Sequence, residues 1–238
     1  METIRYRITR GDNSFSRRIL LTALIKGDKK TVVWILNHVD PENDFGSPST
    51  RLIFDGIAET ITATGQANIA HIYQKTELYV QTEVVASQIA FIDRLFAEPL
   101  PSSKDIDWAI TRIRQEDESD DPILGERYYE ATWIAMIALL KGDRPTQKRI
   151  LNRLQADDFD TNLDNLFIWV GELLPIEGEV KPESLYRQAK AYVIDKVMVT
   201  YTAPIDHLLA IDLPDKTMIA QAMASLKRYR TFQLQNMA

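Results

Sequence analysis

Apolar residues recur three and four positions apart along most of the chain. Ile19, Ala23 and Leu24, followed by Val32, Val33 and Leu36, mark the apolar faces of two successive helices. Ile134, Ile137 and Ala138, followed by Ile150, Leu151 and Leu154, repeat the arrangement far downstream. Strand-like alternation is weak throughout. Its best stretch, Lys196 to Tyr201, carries β-branched residues in a helical setting and reads as helix. The pattern predicts an all-α chain.

The two helical patterns are also alike in sequence. Ile19 to Asp28 ends in Lys-Gly-Asp and runs on to Ile35-Leu36-Asn37; Ile134 to Asp143 ends in Lys-Gly-Asp and runs on to Ile150-Leu151-Asn152. The spacing is 115 residues in both cases (26 to 141, 35 to 150). Asp44-Phe45 is echoed by Asp158-Phe159, Leu52-Ile-Phe54 by Leu166-Phe-Ile168, and Gly56 falls against Gly171. An ordered series of this kind indicates an internal repeat. The acidic run from Gln115 to Asp121, closed by Pro122, has nothing to bury and reads as a linker rather than a metal site. Two tandem helical domains are expected, 1–117 and 118–238, the second repeating the first. Each should be a small helical bundle followed by a hairpin-like helical tail.

Local signals refine the picture. Gly27 and Gly142 sit where a helix C-cap takes a left-handed residue, and Asp28 and Asp143 are placed to cap the next helix. A tight helix-to-helix corner accounts for all three residues better than an adhesive or phosphate-binding loop. Val39 to Thr50 reads as a loop anchored by Phe45, with Ser49 or Thr50 capping the next helix, and Gly65 ends that helix. Pro182 should open a helix, and Pro99, Pro101 and Pro214 should break the tails into paired helices.

Composition narrows the class. In 238 residues, 45% apolar and 26% charged is ordinary for a folded chain, and the length suits two small domains. A net charge of -6 and a pI near 5.2 make nucleic acid a secondary partner at most. No cysteine is present, so disulfides, thiolate metal sites and thiol nucleophiles are excluded. Met1 to Arg7 lacks a signal peptide's apolar core, and no apolar run reaches the roughly 18 residues of a membrane span; cytoplasmic residence without a membrane is the expectation.

Catalytic constellations are missing from the sequence. There is no phosphate-binding Gly-x-x-x-x-Gly-Lys-Ser/Thr, no Gly-x-Gly-x-x-Gly, no His-Glu-x-x-His and no Gly-x-Ser-x-Gly. His38, His71 and His207 are scattered, and Asp157-Asp158 or Glu42 with Asp44 lie where water can solvate them. No enzyme activity, catalytic residue, metal or cofactor is expected.

The stretch Ile19 to Gln74 carries Val39-Asp-Pro-Glu-Asn-Asp-Phe45, then Arg51-Leu-Ile-Phe-Asp-Gly-Ile57, then the Gly65 turn. In this it resembles the amino-terminal, collar-forming domain of DnaB-type replicative helicases. The second half is similar more faintly, through Asp157-Asp158-Phe159, Leu166-Phe167-Ile168, Glu177 to Val180, and Met218 to Leu234. The helicase motor with its phosphate loop is absent, the Gly-Gly that commonly follows the fourth helix is missing, and two domains stand where a helicase has one. The resemblance implies a protein-binding accessory of DNA replication that engages a helicase or primase as adaptor, loader or inhibitor. A helical scaffold or self-assembling oligomer is the alternative from another class, and a DNA-binding regulator is the weaker one.

Two sets of candidate residues follow. Met218, Ala222, Tyr229 and Phe232 form a mixed stripe that could meet a protein partner. Lys227, Arg228 and Arg230 are the candidate nucleic-acid contacts.

Overall fold

The computed structural model describes residues 13–64, 66–115, 122–160 and 163–236. Helices α1 (Asn13–Lys26), α2 (Lys29–Leu36), the short α3 (Pro41–Asp44), α4 (Pro48–Thr64) and α5 (Ile69–Tyr79) lead through a π turn, Val80–Val84, into α6 (Val85–Ala97) and α7 (Ser103–Arg114). The order then recurs as α8 (Pro122–Lys141), α9 (Arg144–Leu151), a 3-10 turn at Ala156–Asp158, α10 (Leu163–Glu177) and α11 (Pro182–Tyr192). A second π turn, Val193–Val197, leads into α12 (Met198–Ala210) and α13 (Lys216–Asn236). The described residues contain no strand, so the fold is all-α as expected. Lys196 to Tyr201 is helical. Gly65 and the acidic residues 116–121 lie outside the described residues.

The helix boundaries have visible causes. Asp28 accepts the Thr31 N–H at 2.7 Å and Asp143 the Thr146 N–H at 2.9 Å, satisfying donors that the first turn of α2 and α9 would leave bare. These hydrogen bonds hold both carboxyls below the usual carboxylate range. Gly27 and Gly142 do not adopt the left-handed conformation; Gly178, at φ 79°, is the described residue that does. A Cβ at Gly27 would lie 2.3 Å from the Ala23 oxygen, and one at Gly142 would lie 2.4 Å from that of Ala138. These corners need glycine for room. Helix α4 starts earlier than expected: Pro48 opens it and the Ser47 hydroxyl, not Ser49 or Thr50, accepts the Thr50 N–H. Pro182 opens α11.

The chain divides into two compact units that are not its two halves. The first unit takes residues up to Thr82 together with Ile194 onward; the second takes Glu83–Val193. The expected domains 1–117 and 118–238 therefore do not coincide with the units. Helical periodicity marks which face of a helix is apolar and leaves open which helix covers it. Each early bundle is covered by the later pair of helices from the other half, α1 by α13 and α8 by α7. Both chain crossings fall inside the π turns.

In the first unit, Ile19, Leu20, Leu24, Ile35, Phe45, Ile53, Ile57 and Ile72 share a core with Ile205, Leu208, Ile219, Met223 and Leu226. In the second, Ala135, Met136, Leu139, Ile150, Leu166, Val170 and Leu185 share a core with Ile92, Leu95, Ile106, Ile110 and Ile113. Phe45 is 1% exposed and stacks on Phe54, centroids 4.8 Å apart; Phe159 meets Phe167 at 5.0 Å. That pairing sets Phe54 against Phe167, 113 apart, rather than against Ile168. The Gly56 to Gly171 match dissolves for the same reason. Gly56 lets the Ile72 backbone approach α4, whereas Gly171 meets only a Leu151 methyl at 3.8 Å.

Candidate functional site

Residues at matching positions of the two units make matching contacts where helices cross. Lys26 donates from Nζ to the carbonyls of Leu209 (2.7 Å) and Ile211 (2.6 Å), the end of α12. Lys141 does the same for Phe96 (2.9 Å) and Glu98, the end of α6. A lysine at such an end satisfies orphan carbonyls and meets the negative pole of the helix. The lysine of each Lys-Gly-Asp corner is thus a clasp on the crossing helix, a role the corner's sequence alone does not reveal. Tyr73 donates its hydroxyl proton to Asp206, and Tyr186 to Asp93. Burial, and then the aspartate, push Tyr73 up to about 12; for Tyr186 the aspartate leads and burial follows, again to about 12.

The surface differs where the interior agrees. On α2, Val33 and Trp34 are exposed, at 44% and 39%, although periodicity assigned Val33 to the apolar inner face; Val32 and Ile35 are the buried pair. Trp34 stacks on His38, and the His38 ring is tied to the Trp34 carbonyl at 2.7 Å. Between α2 and α13 runs a groove of about 290 Å³ lined by Thr31, Trp34, Ile219 and Ala220, with Asp28, Lys30 and Lys216 at its rim. Lys29, Lys30, Lys216 and Ala220 are exposed.

The second unit carries different side chains at the same place. Trp34 corresponds to Arg149 at the Lys-Gly-Asp spacing, and Ala220 to Asp107 at the spacing that relates the tyrosines, 113 residues. Arg149 and Asp107 form an ion pair at 2.7 Å, spanning α9 and α7. Val33 corresponds to Lys148, and Lys216 to Ser103. The buried floor is common to both, with Ile219 4% exposed and Ile106 4% exposed. One unit carries the exposed indole of Trp34 beside this floor; the other carries an ion pair there, with the exposed Trp108 next to Asp107 on α7.

The anticipated partner stripe is mostly interior. Ala222 is fully buried, Met218 packs against the first core and Tyr229 is half-buried, so Phe232, 62% exposed, is the member that reaches the surface freely. The stripe faces α1 because α13 covers that helix. Of the three candidate nucleic-acid contacts, Lys227 and Arg228 are exposed. Arg230 pairs with Asp44 at 2.5 Å, and Asp44 is 2% exposed and also accepts the Asp40 N–H at 2.7 Å. Structure thus brings Arg230 into a folding contact rather than beside Lys227 and Arg228. Of the exposed pair on α2, Val33 is assigned to the apolar face because helical period does not report exposure.

Among the described residues no group of three or more His, Cys, Asp or Glu is placed to hold a metal ion, and no helix is long and apolar enough to cross a membrane. Comparisons with family profiles, with characterised proteins and with solved structures find no match to this chain.

Proposed function

We propose that this chain is a non-enzymatic, protein-binding accessory of DNA replication that engages a replicative helicase or primase as adaptor, loader or inhibitor. The observation that carries the binding role is the groove at Trp34, where the second unit has the Arg149–Asp107 ion pair instead. Exposed aromatic and aliphatic side chains beside a shaped apolar floor are the usual anchors of protein recognition. Support for a partner in replication comes from the likeness of Ile19 to Gln74 to the helicase collar domain, a domain that serves as a docking platform. A DNA-binding role has less support, since Arg230 is engaged with the buried Asp44.

The test is a pull-down with the full chain from cells that carry it, with bound proteins identified by mass spectrometry. Recovery of the replicative helicase or primase in repeated trials is the expected result. Consistent recovery of neither, with self-association by light scattering instead, overturns the replication reading in favour of a self-assembling scaffold.

A further inference from the structure

Resting on that protein-binding reading, we infer that the groove between α2 and α13 receives a short acidic, amphipathic helix of a partner protein. Its apolar anchor lies against Trp34, Ala220 and Ile219, and its carboxylates face Lys30 and Lys216.

The rim sets the sign of the occupant. Lys30 and Lys216 line the groove, with Lys29 exposed alongside on the same first turn of α2, in a chain whose net charge is -6. Asp28 is the acidic member of the lining, and its carboxylate is already engaged by the Thr31 N–H. Helices α2 and α13 both begin at this end, where the capping carboxylates of Asp28 and Asp215 meet their positive poles and leave Lys29, Lys30 and Lys216 in excess. The local field therefore favours carboxylates where the molecule as a whole repels them.

The floor sets the rest. Its volume, about 290 Å³, lies just below the roughly 300–1,000 Å³ typical of small-molecule sites. A groove between two helices with an apolar floor suits the ridge of a third helix. The sibling unit supplies a comparison: where Trp34 and Ala220 stand in the first unit, it carries the Arg149–Asp107 ion pair.

The experiment measures binding of a fluorescently labelled 16-residue amphipathic peptide, with glutamates on its polar face and one Phe and two Leu on the other, to the full chain. A peptide with every Glu replaced by Lys is the comparison. Micromolar binding of the acidic peptide and none of the basic one is expected. Trp34→Arg combined with Ala220→Asp rebuilds the sibling's ion pair and should abolish binding while leaving the helical signal and melting temperature unchanged. Lys30→Glu with Lys216→Glu alters only exposed side chains; it should weaken the acidic peptide about tenfold or more and admit the basic one. Equal binding of both peptides to the unaltered chain, or undiminished acidic-peptide binding by either variant, overturns the proposal. A pull-down with the Trp34→Arg, Ala220→Asp chain separates the two readings. Helicase or primase recovered as well as by the unaltered chain keeps the replication role and overturns the groove. Peptide binding without recovery of either protein keeps the groove and overturns the replication role.

Discussion

The two compact units share their interiors and differ on one face. Lys26 and Lys141 clasp the ends of crossing helices, and Tyr73 and Tyr186 each reach an aspartate on the helix that returns from the other half of the chain. Yet Trp34 stands beside Ala220 where Arg149 stands against Asp107. Contacts that hold a helix in place tolerate little change, because removing one partner leaves helix-end carbonyls or a hydroxyl without its mate. A solvent-facing ion pair contributes little to stability, roughly 0–1 kcal/mol, so exchanging it for an indole and a methyl group costs the fold almost nothing. The divergence therefore falls where the fold constrains the sequence least.

The strongest way to break this comparison is to cut the chain where the sequence places its seam. Residues 1–117 alone would lack Ile205, Leu208, Ile219, Ala222, Met223 and Leu226 from their core. At about 1.5–3 kcal/mol for each buried aliphatic side chain, the loss is on the order of 10 kcal/mol, comparable to the whole stability of a domain. Neither half should melt cooperatively as a monomer, and mixing the two should restore a cooperative transition in circular dichroism. A half that folds fully as a monomer would show that each half can cover its own bundle.

A smaller effect separates the loops. Asp44→Ala strands Arg230 beside a buried site and should cost about 3 kcal/mol in urea denaturation. Asp158→Ala removes an acceptor for the Gln155 N–H at 2.6 Å in a half-buried turn, and should cost about 1 kcal/mol. Equal costs would mean that the Arg230 pairing contributes nothing beyond the turn itself.

The finest test is of pH. A tyrosine held protonated up to about 12, against an ordinary 10, keeps its proton in the folded chain after the unfolded chain has lost it. Its contribution is intact below pH 10 and falls as pH rises from about 10 towards 12. Tyr73→Phe with Tyr186→Phe should flatten that alkaline loss in a series of melts. An unchanged slope would place the alkaline sensitivity elsewhere.

Much of this was legible in the chain. The Lys-Gly-Asp series located two like bundles, and Asp28, Asp143 and Pro182 announced their caps, since capping depends on residues within one turn. The covering of α1 by α13 was not legible, because apolar stripes on α7 and α13 are equally good partners for either bundle. The linker composition around residue 118 marks a joint of the chain and carries no information on which core owns the helices beside it. Trp34 escaped for a related reason: periodicity cannot tell a floor from a rim.

The two π turns make phase a structural variable. Each inserts i→i+5 bonding into a helix that would otherwise advance by about 100° per residue, so the helix after it presents a different face. Tyr73 and Tyr186 lie ahead of these turns; Asp93 and Asp206 lie beyond them. Each tyrosine nonetheless shares one compact unit with its aspartate, so a residue trimmed from either turn alters the hand-over between units and leaves the pairing to the packing within each.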